Sequence, residues 1–526
     1  MLRRMTLHAL WIATALRILI PCAADPDLWG HLVFGDLILH GTLASTNGFA
    51  YTAAAHPWVN HELFAEGLMA GLYAAFGSYG LVALKIVLGL ATVALVHRAA
   101  LRRCRVPWAA ALATTIAAVV MTPGFMVRPQ LFTLVGLALT LDVLAANRYR
   151  ARGTAWLLPL LVAVWINLHG GVLAGIGLAA VGLVVAALTA PASSTGTRRD
   201  RIARAGVLIA LLAAATLVNA YGARMPWFLV TKVTPRVPIT EWAAVGWTDL
   251  TFPLFKATLL ALLAWTALAR RARLPEIAIA LVAAAAALLH QRHIPLFAVA
   301  AAPLGAAALV DVAARLRRRG DLRLAVPVLR GGIAVVTIFQ IALIVVVSER
   351  TRGQIAVDPH TYPIQALRFL AQNGIGGNVA LPFDWGEVAL WSLPAGTTVA
   401  VDGRFTTAYP DEVLEEAWRF MRGDPGWSDI LARHPTDVVV ASRAQPSAQL
   451  LRNNPEWAYI YSDPVSTVFV RREGSQAAAL ARLQAGQFSY DPSPLDTVFP
   501  ALERKSATRA PVTLSSATLT NAWTDP

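Results

Sequence analysis

The chain has 526 residues, of which 56% are hydrophobic and 14% are charged, and its formal net charge is +14. Apolar runs recur from Thr6 to Val347, which excludes an ordinary soluble protein over that length and predicts repeated membrane spans. The arginines stand in short clusters between the runs instead of forming a basic groove interleaved with aromatic residues. Nucleic-acid binding is therefore not expected, and the positive charge is expected to set membrane topology.

The first apolar run, residues 6–24, follows Arg3 and Arg4 and ends in Cys22-Ala23-Ala24. This pattern fits either a cleaved signal peptide or an uncleaved anchor. We favour the anchor, because the Asp-Pro-Asp stretch that follows is better explained if it stays at the membrane surface. With this run, the sequence predicts eleven spans: 6–24, 79–101, 108–121, 130–146, 155–166, 172–190, 202–218, 254–269, 277–289, 294–312 and 324–347.

The distribution of arginine orients these spans. With the N-terminus in the cytoplasm, the inner connections hold the large arginine clusters, at 98–105, 148–152, 198–204, 270–273 and 315–323. The outer connections hold Arg128, Arg224, Lys232, Arg236 and Arg292. This bias follows the positive-inside rule. It requires that the apolar helix 61–76 lie at the outer surface, because a crossing there would invert every later loop.

The first outer loop, residues 25–78, contains no lysine or arginine. Two apolar stretches with polar insertions, 28–40 and 61–76, predict helices that lie in the membrane interface. A Thr/Ser/Asn/Gly/Pro-rich stretch between them predicts a loop.

Under this topology the unusual polar clusters collect at the outer face. Ionisable groups at membrane depth are costly, and they are kept where they pair or line a cavity. Carboxylates and cations together suit a site in which an Asp deprotonates a hydroxyl while Arg and His hold a phosphate. The candidate residues are Asp25, Asp27, His31, His61, Glu62, Arg128, His169, Tyr221, Glu241, His290, Arg292 and His293.

Structural interpretations of the same clusters remain open. These are a helix cap for Asp25 and Asp27, a turn for His169-Gly170-Gly171, and snorkelling to lipid headgroups for Arg128, Arg292 and His293. The His61-Glu62 pair does not begin a zinc-protease motif, because Ala65 stands where the second histidine is required.

The motifs around these residues resemble the glycosyltransferase C superfamily of integral membrane enzymes, and more closely one bacterial branch of it. That branch carries an Asp-Pro-Asp-x-Trp-x-His opening and Trp-Val-x-His-Glu, Asn-x-His-Gly-Gly and Asp-Gly-Arg motifs. Here they begin at Asp25, Trp58, Asn167 and Asp402. The resemblance covers about residues 6–472. One departure is Gly30, where the branch commonly has a second aromatic residue.

The resemblance implies a reaction and a location. An Asp at the end of the first span would activate an acceptor hydroxyl for inverting attack on a sugar, with polyprenyl phosphate leaving. Asp25 and Asp27 both match, and Asp27 is slightly favoured. The donor would be a polyprenyl-phosphate-linked sugar and the acceptor a glycan, lipid or protein, outside a bacterial inner membrane. A divalent cation, Mg²⁺ or Mn²⁺, is left open, with Asp25, Asp27, His31 and Glu62 as its ligands.

After Arg350 the composition becomes that of a soluble domain. Residues 351–474 predict a small extracytoplasmic α/β domain with helices 363–372 and 411–421 and strands 378–381, 398–402, 437–441 and 467–471. Residues 383–387 and 402–404 are predicted as loops at strand ends, where binding residues are common. Asp402 and Arg404 are therefore candidate substrate-binding residues, and a structural ion pair around Gly403 is the alternative.

The predicted fold is thus mainly α. A polytopic membrane helix bundle, residues 1–350 including outer loop 25–78, precedes the α/β domain. The Ala/Ser/Thr/Pro-rich tail, 475–526, is predicted to be disordered. The alternative functions are a transporter or flippase, a polymerase or ligase of a lipid-linked glycan, and a non-catalytic scaffold. A transporter is disfavoured, because the sequence shows no internal repeat and its polar clusters sit at one face.

Overall fold

The computed structural model describes residues 2–43, 45–191, 196–231, 239–268, 273–318 and 325–504. The chain divides into two compact units, each built from two stretches of sequence. The helical unit comprises Met1–Asp25 and His61–Ala356, and the α/β unit comprises Pro26–Asn60 and Val357–Pro526. The first half of the predicted outer loop therefore belongs to the α/β unit and not to the membrane bundle.

Each of the predicted spans contains a helix of the helical unit. The helices of this unit are α1 (Leu2–Leu19), α3 (Leu63–Phe76), α4 (Ser78–Cys104), α5 (Pro107–Val120), α6 (Gln130–Ala146), α7 (Leu158–Trp165), α8 (Val172–Thr189), α9 (Arg198–Ala215), α10 (Arg224–Thr231), α11 (Pro253–Leu268), α12 (Leu274–Leu289), α13 (Ile294–Arg318) and α14 (Ala325–Thr351). Among the α-helices that the structure describes in this unit, α10 alone was not predicted. The second predicted surface helix, 61–76, is α3.

Length and hydropathy mark part of this unit as membrane-spanning. Among the described residues, 4 helices are long and apolar enough to cross a membrane: Ser78–Cys104, Val172–Thr189, Gln291–Arg318 and Gly331–Thr351. The first half of α13 is buried against α4, α5 and α12. By contrast, α14 exposes Val335, Ile338 and Phe339. An apolar surface of this kind is suited to lipid.

Buried ion pairs tie the arginine-rich helix ends together. Asp142 at the end of α6 is 1% exposed and contacts Arg98 at 2.5 Å and Arg102 at 3.2 Å. Glu276 at the start of α12 is 4% exposed and contacts Arg103 at 2.6 Å. These carboxylates are stabilised by pairing, because an unpaired buried charge would be costly. The predicted topology assigns this end to the cytoplasm.

The α/β unit is built around a five-stranded sheet with the order β2-β1-β3-β5-β4. β1 is parallel to β2 and β3, while β5 is antiparallel to β3 and β4. Its elements are α2 (Leu28–Leu39), α15 (Ile364–Gln372), β1 (Asn378–Ala380), α16 (Phe383–Ser392), β2 (Thr398–Val399), α17 (Asp411–Arg422), α18 (Asp429–Arg433), β3 (Val438–Ser442), α19 (Pro446–Arg452), β4 (Trp457–Ser462), β5 (Ser466–Arg471) and α20 (Ala477–Gln484).

The loop segment 26–60 is part of this fold. Its Tyr51 N–H donates to the Val399 carbonyl at 3.2 Å, and the Val399 N–H donates to the Phe49 carbonyl at 2.9 Å. The segment thereby covers the edge strand β2, whose backbone groups would otherwise be open to pairing. α2 packs on α16, and its residues 28–35 are all buried. The predicted interfacial helix 28–40 is thus a core helix of the α/β unit.

Two further predictions for the C-terminal part are wrong. Residues 383–387 were predicted as a loop, but they form the first turns of α16. The predicted disordered tail is ordered as far as residue 504: α20 lies within it, and Phe499 and Leu502 are 3% and 8% exposed. Leu502 is anchored because its carbonyl accepts the Trp391 indole N–H at 3.0 Å. Residues 505–526 lie outside the described part.

Candidate functional site

Asp25 forms a buried ion pair in the helical unit. The backbone before it is fixed, because the Ala24 N–H donates to the Ala356 carbonyl at 2.7 Å. Asp25 is 1% exposed, and its Oδ1 lies 2.5 Å from Nε of Arg128, which stands just before α6. Arg128 Nη1 lies 3.4 Å from Oε1 of Glu241, whose side chain is 39% exposed. Arg128 therefore links a buried carboxylate to a partly exposed one, which brings together three predicted site residues.

The turn Thr240–Trp242 connects Glu241 to a cationic and aromatic cluster. His290 Nδ1 lies 2.8 Å from the Trp242 carbonyl oxygen and fixes the turn to the end of α12. The Arg292 guanidinium lies over the Trp242 ring at 4.5 Å, and the rings of His290 and His293 contact the same indole edge-on. Stacking on Trp242 holds the Arg292 guanidinium in place.

Glu62 is the centre of a second cluster in the helical unit. Glu62 occupies the N-cap position of α3, and its side chain makes no capping hydrogen bond. Its Oε1 lies 3.7 Å from His61 Nε2 and 3.5 Å from His169 Nε2. One turn later, Glu66 is 3% exposed. The sequence prediction included His61, Glu62 and His169 but overlooked Glu66, because an acidic residue in the first turn of a helix is ordinary.

The surroundings of His169 select one tautomer of its ring. The Gly171 N–H donates to His169 Nδ1 at 2.9 Å, so Nδ1 carries no proton. The Thr133 hydroxyl lies 2.7 Å from the same nitrogen and accepts the Trp165 indole N–H at 3.1 Å, so it donates its own proton to Nδ1. The ring proton of neutral His169 is therefore on Nε2, which faces Glu62. His169 therefore lies in the predicted turn and contacts Glu62, and its role in substrate binding stays a prediction.

Tyr221 lies in a turn before α10. Its N–H donates to Asn219 Oδ1 at 2.7 Å, and Asn219 also donates to the carbonyl of Gly222 at 3.0 Å. From this turn, α10 brings the Phe228 ring to 6.1 Å from the His61 ring. The structure thus connects this segment to the Glu62 cluster through Phe228, and substrate binding by Tyr221 stays a prediction.

In the α/β unit, Asp27 meets two motifs from the C-terminal part of the chain. Asp27 occupies the position before α2, but its side chain makes no capping hydrogen bond. A Cβ added at Gly403 would lie 2.1 Å from Asp27 Oδ1 and 3.3 Å from Glu387 Oε1, so both carboxylates lie against the same glycine. Two converging carboxylates can share a proton or ligate a hard cation. Glu387 is 3% exposed, and the sequence prediction did not select it.

Asp402 and Arg404 form a buried, bidentate ion pair. Arg404 Nε donates to Asp402 Oδ1 at 2.9 Å and Nη2 donates to Oδ2 at 2.6 Å, with side chains 7% and 0% exposed. Asn47 accepts from Arg404 at 2.6 Å, and Tyr409 donates to Asp402 at 2.8 Å. Burial and the nearby Asp402 hold the pKa of Tyr409 well above its usual range, so the phenol remains a donor. The guanidinium is enclosed by the rings of Phe34, Phe49 and Trp58.

This enclosure favours the structural interpretation of Asp402 and Arg404. Apart from Arg404 Nη1, which has no hydrogen-bond partner among the described residues, their charged atoms pair with each other and with neighbouring side chains. Burial leaves little surface for a substrate. His31, one turn after Asp27 on α2, is also buried, at 7% exposed. Substrate binding by Asp402, Arg404 and His31 remains a prediction, and so does the binding of a divalent cation.

Gly30 sits where a larger residue would collide with Glu387. The Gly30 N–H donates to Glu387 Oε2 at 3.1 Å, and an added Cβ would lie 2.0 Å from that oxygen. This contact leaves no room for a side chain at position 30.

We expect Gly30→Ala to destabilise the protein by about 1–3 kcal/mol through overpacking, although alanine normally stabilises a helix interior. The measurement is the thermal unfolding of the purified full-length protein. Gly177→Ala in α8 is the matched control, because a Cβ there meets nothing within 4 Å, and this change should be neutral or stabilising. Equal stability of Gly30→Ala and wild type would contradict the contact.

Comparison with known proteins shows similarity in fold but not in sequence. No protein-family model matches the chain, and no curated protein sequence matches it. The oligosaccharyltransferase of Archaeoglobus fulgidus in its apo form is 16% identical over 83% of this chain and 69% of its own, with a TM-score of 0.53. ArnT from Cupriavidus metallidurans bound to undecaprenyl phosphate is 13% identical over 90% of this chain and 97% of its own, with a TM-score of 0.46.

Proposed function

We propose that this chain, which has the fold of the glycosyltransferase C membrane proteins, transfers a sugar from a polyprenyl-phosphate-linked donor to an acceptor hydroxyl on the extracytoplasmic face. The fold supports a membrane glycosyltransferase in general. The cationic cluster of the helical unit supports the lipid-phosphate donor, and the surroundings of Asp25 and Asp27, each within its own unit, support the choice of catalytic base.

The observation that carries the proposal is that two guanidinium groups contact adjacent residues of one short turn. Arg128 contacts Glu241, and Arg292 stacks on the neighbouring Trp242. Two positioned cations would bind the anionic phosphodiester of the donor, and they would also stabilise the dianionic phosphate that forms when the sugar–phosphate bond breaks. Such a leaving group needs no proton, so an acid is not required on the donor side.

Asp27 is the general base in this proposal. Asp25 is buried and its carboxylate is ion-paired with the Arg128 guanidinium. An arginine side chain stays protonated in proteins, so Asp25 is the less suitable proton acceptor. Asp27 is half-buried and lies beside Gly403 and Glu387. The acceptor O–H bond breaks and its proton passes to the Asp27 carboxylate. The acceptor oxygen bonds to the anomeric carbon from the face opposite the phosphate, and the electron pair of the breaking C–O bond leaves with the phosphate.

The proposal is tested by following donor consumption. The probe is the total membrane extract of a strain that lacks this gene, which should contain both the accumulated lipid-linked sugar and the unmodified acceptor, reconstituted into vesicles with the purified protein. Wild type should release polyprenyl phosphate, measured by mass spectrometry. Arg292→Ala should raise the KM for the donor at least about tenfold, since a charge-assisted hydrogen bond contributes about 1.5–3 kcal/mol.

Arg199→Ala is the matched control, because Arg199 is exposed in the first turn of α9 and lies outside these clusters. Its KM should equal that of wild type. Intact donor lipid in the presence of wild-type protein would reject glycosyl transfer, and movement of that intact lipid between leaflets would indicate a flippase. An unchanged KM for Arg292→Ala would reject the phosphate site.

A further inference from the structure

The α/β unit contains a cleft of about 480 Å³ whose lining includes none of the candidate site residues described above. It lies between α15, the β4–β5 turn and the segment that follows α20. Aromatic and polar side chains line it together: Gln365, Phe369, Tyr461, Asp463, Phe488 and Tyr490. A concave site of this size, with aromatic walls and a few polar groups, is typical of ligand pockets.

The aromatic wall of the cleft is a packed surface. The rings of Phe369 and Tyr461 stack at 4.9 Å with an interplanar angle of 19°, and the Phe488 ring contacts Phe369 at 6.3 Å. Phe369 is buried, whereas Phe488 and Tyr490 are 55% and 54% exposed. Two large rings exposed side by side carry an apolar surface that a bound ligand would cover.

The segment that displays these rings is anchored to α15. Asn373 donates to the Ser489 carbonyl at 2.9 Å, and the Ser489 N–H donates back to Asn373 at 2.9 Å. Arg368 donates to Asp491 at 3.4 Å and to Ser493 Oγ at 3.1 Å. Hydrogen bonds next to both rings therefore hold this segment in place, and the binding surface is formed before a ligand arrives.

The polar edge of the cleft carries a carboxylate and a phenol. Asp463 Oδ1 accepts the N–H groups of Val465 and Ser466 at 2.8 and 2.7 Å, which fixes it at the β4–β5 turn. Burial, with Asp463 and Tyr490 nearby, raises the pKa of Tyr461, so its hydroxyl stays a donor. A fixed carboxylate at the rim disfavours an anionic lipid headgroup or a phosphate.

We propose that this cleft binds a neutral carbohydrate chain, which serves as the acceptor glycan; this inference rests on the proposed function. Pyranose rings present apolar C–H faces that stack on aromatic rings, and hydroxyl groups at their edges that match the carboxylate, amide and phenol. A membrane surface would fit a convex apolar patch better than a concave one with a carboxylate at its edge.

The test measures binding and not catalysis. Full-length protein in lipid nanodiscs is titrated with cellohexaose, mannohexaose and chitohexaose, and binding is followed by saturation-transfer NMR. At least one hexasaccharide should bind, and Phe488→Ala combined with Tyr490→Ala should weaken that binding at least about tenfold. Tyr459→Ala is the matched control, because Tyr459 is 53% exposed on β4 but lies outside the cleft.

Three results would overturn the inference: no binding of any hexasaccharide, equal binding by the double variant, or an equal loss with Tyr459→Ala. A spin label at Phe488→Cys, in a protein whose two native cysteines are replaced by alanine, supplies a further test. Preferential collision of that label with oxygen over a water-soluble nickel chelate would assign the surface to the membrane instead.

Hexasaccharide binding that persists when donor consumption is absent would reject the proposed function and leave the cleft assignment standing.

Discussion

Asp27→Asn is expected to lower the turnover number for donor consumption by about 10²–10⁴-fold, the range for removal of a general base. The amide cannot accept the acceptor proton, but it preserves the size of the side chain. The donor KM should change little, since Asp27 is not assigned to phosphate binding. The measurement is release of polyprenyl phosphate by the reconstituted protein, together with its melting temperature, which should remain near that of wild type.

Asp25→Asn serves as the contrasting variant. It removes the buried partner of Arg128 and leaves the guanidinium only the partly exposed Glu241 at 3.4 Å, which is expected to cost about 3 kcal/mol of stability. Loss of activity in this variant should therefore coincide with a lower melting temperature, unlike the loss in Asp27→Asn. Full turnover by Asp27→Asn, or inactivity of a stably folded Asp25→Asn with active Asp27→Asn, would reject Asp27 as the base.

Arg404→Met is expected to destabilise the α/β unit by about 3–5 kcal/mol, because Asp402 would be left as an unpaired charge with no exposed surface. For a unit of this size the melting temperature should fall by about 10 °C. Arg404→Lys should also be destabilising, since an ammonium group replaces neither the bidentate pair nor the planar stacking against the rings. The measurement is thermal unfolding of the purified protein.

The double variant Asp402→Asn with Arg404→Met separates a structural role from substrate binding. Removing both charges should recover part of the stability lost in Arg404→Met, because no unpaired charge remains. If the pair bound substrate, Arg404→Met would keep the wild-type melting temperature and lose affinity for the donor or acceptor. That result would contradict the structural interpretation.

Hydrophobic periodicity was sufficient to predict most of the secondary structure. Apolar runs separated by arginine clusters predicted the position of a helix in every span. This worked because burial and membrane insertion both require mainly apolar residues over about 20 positions. In the α/β unit, β-branched runs predicted β3 and β5. By contrast, β4 has an irregular pairing between Tyr459 and Tyr461, and its alternation was too weak to detect.

The assembly of distant segments could not be predicted in the same way. α2 is apolar, and its sequence does not distinguish burial against lipid from burial against α16. The convergence of Asp27, Gly403 and Glu387 depends on that packing, which joins residues far apart in the chain. The ordered tail was also missed, because it is held by single anchors such as Leu502 and not by a periodic apolar pattern.

The central claim is that transfer takes place on the side of the membrane opposite the arginine-rich loops. The most direct measurement is labelling of His40→Cys with a membrane-impermeant maleimide in intact spheroplasts, in a protein whose native cysteines are replaced by alanine. His40 is exposed near the end of α2, the helix that follows Asp27, and Arg199→Cys is the opposite-face control. Labelling of His40→Cys without permeabilisation, and of Arg199→Cys only after it, is the predicted result; the reverse pattern would contradict the account.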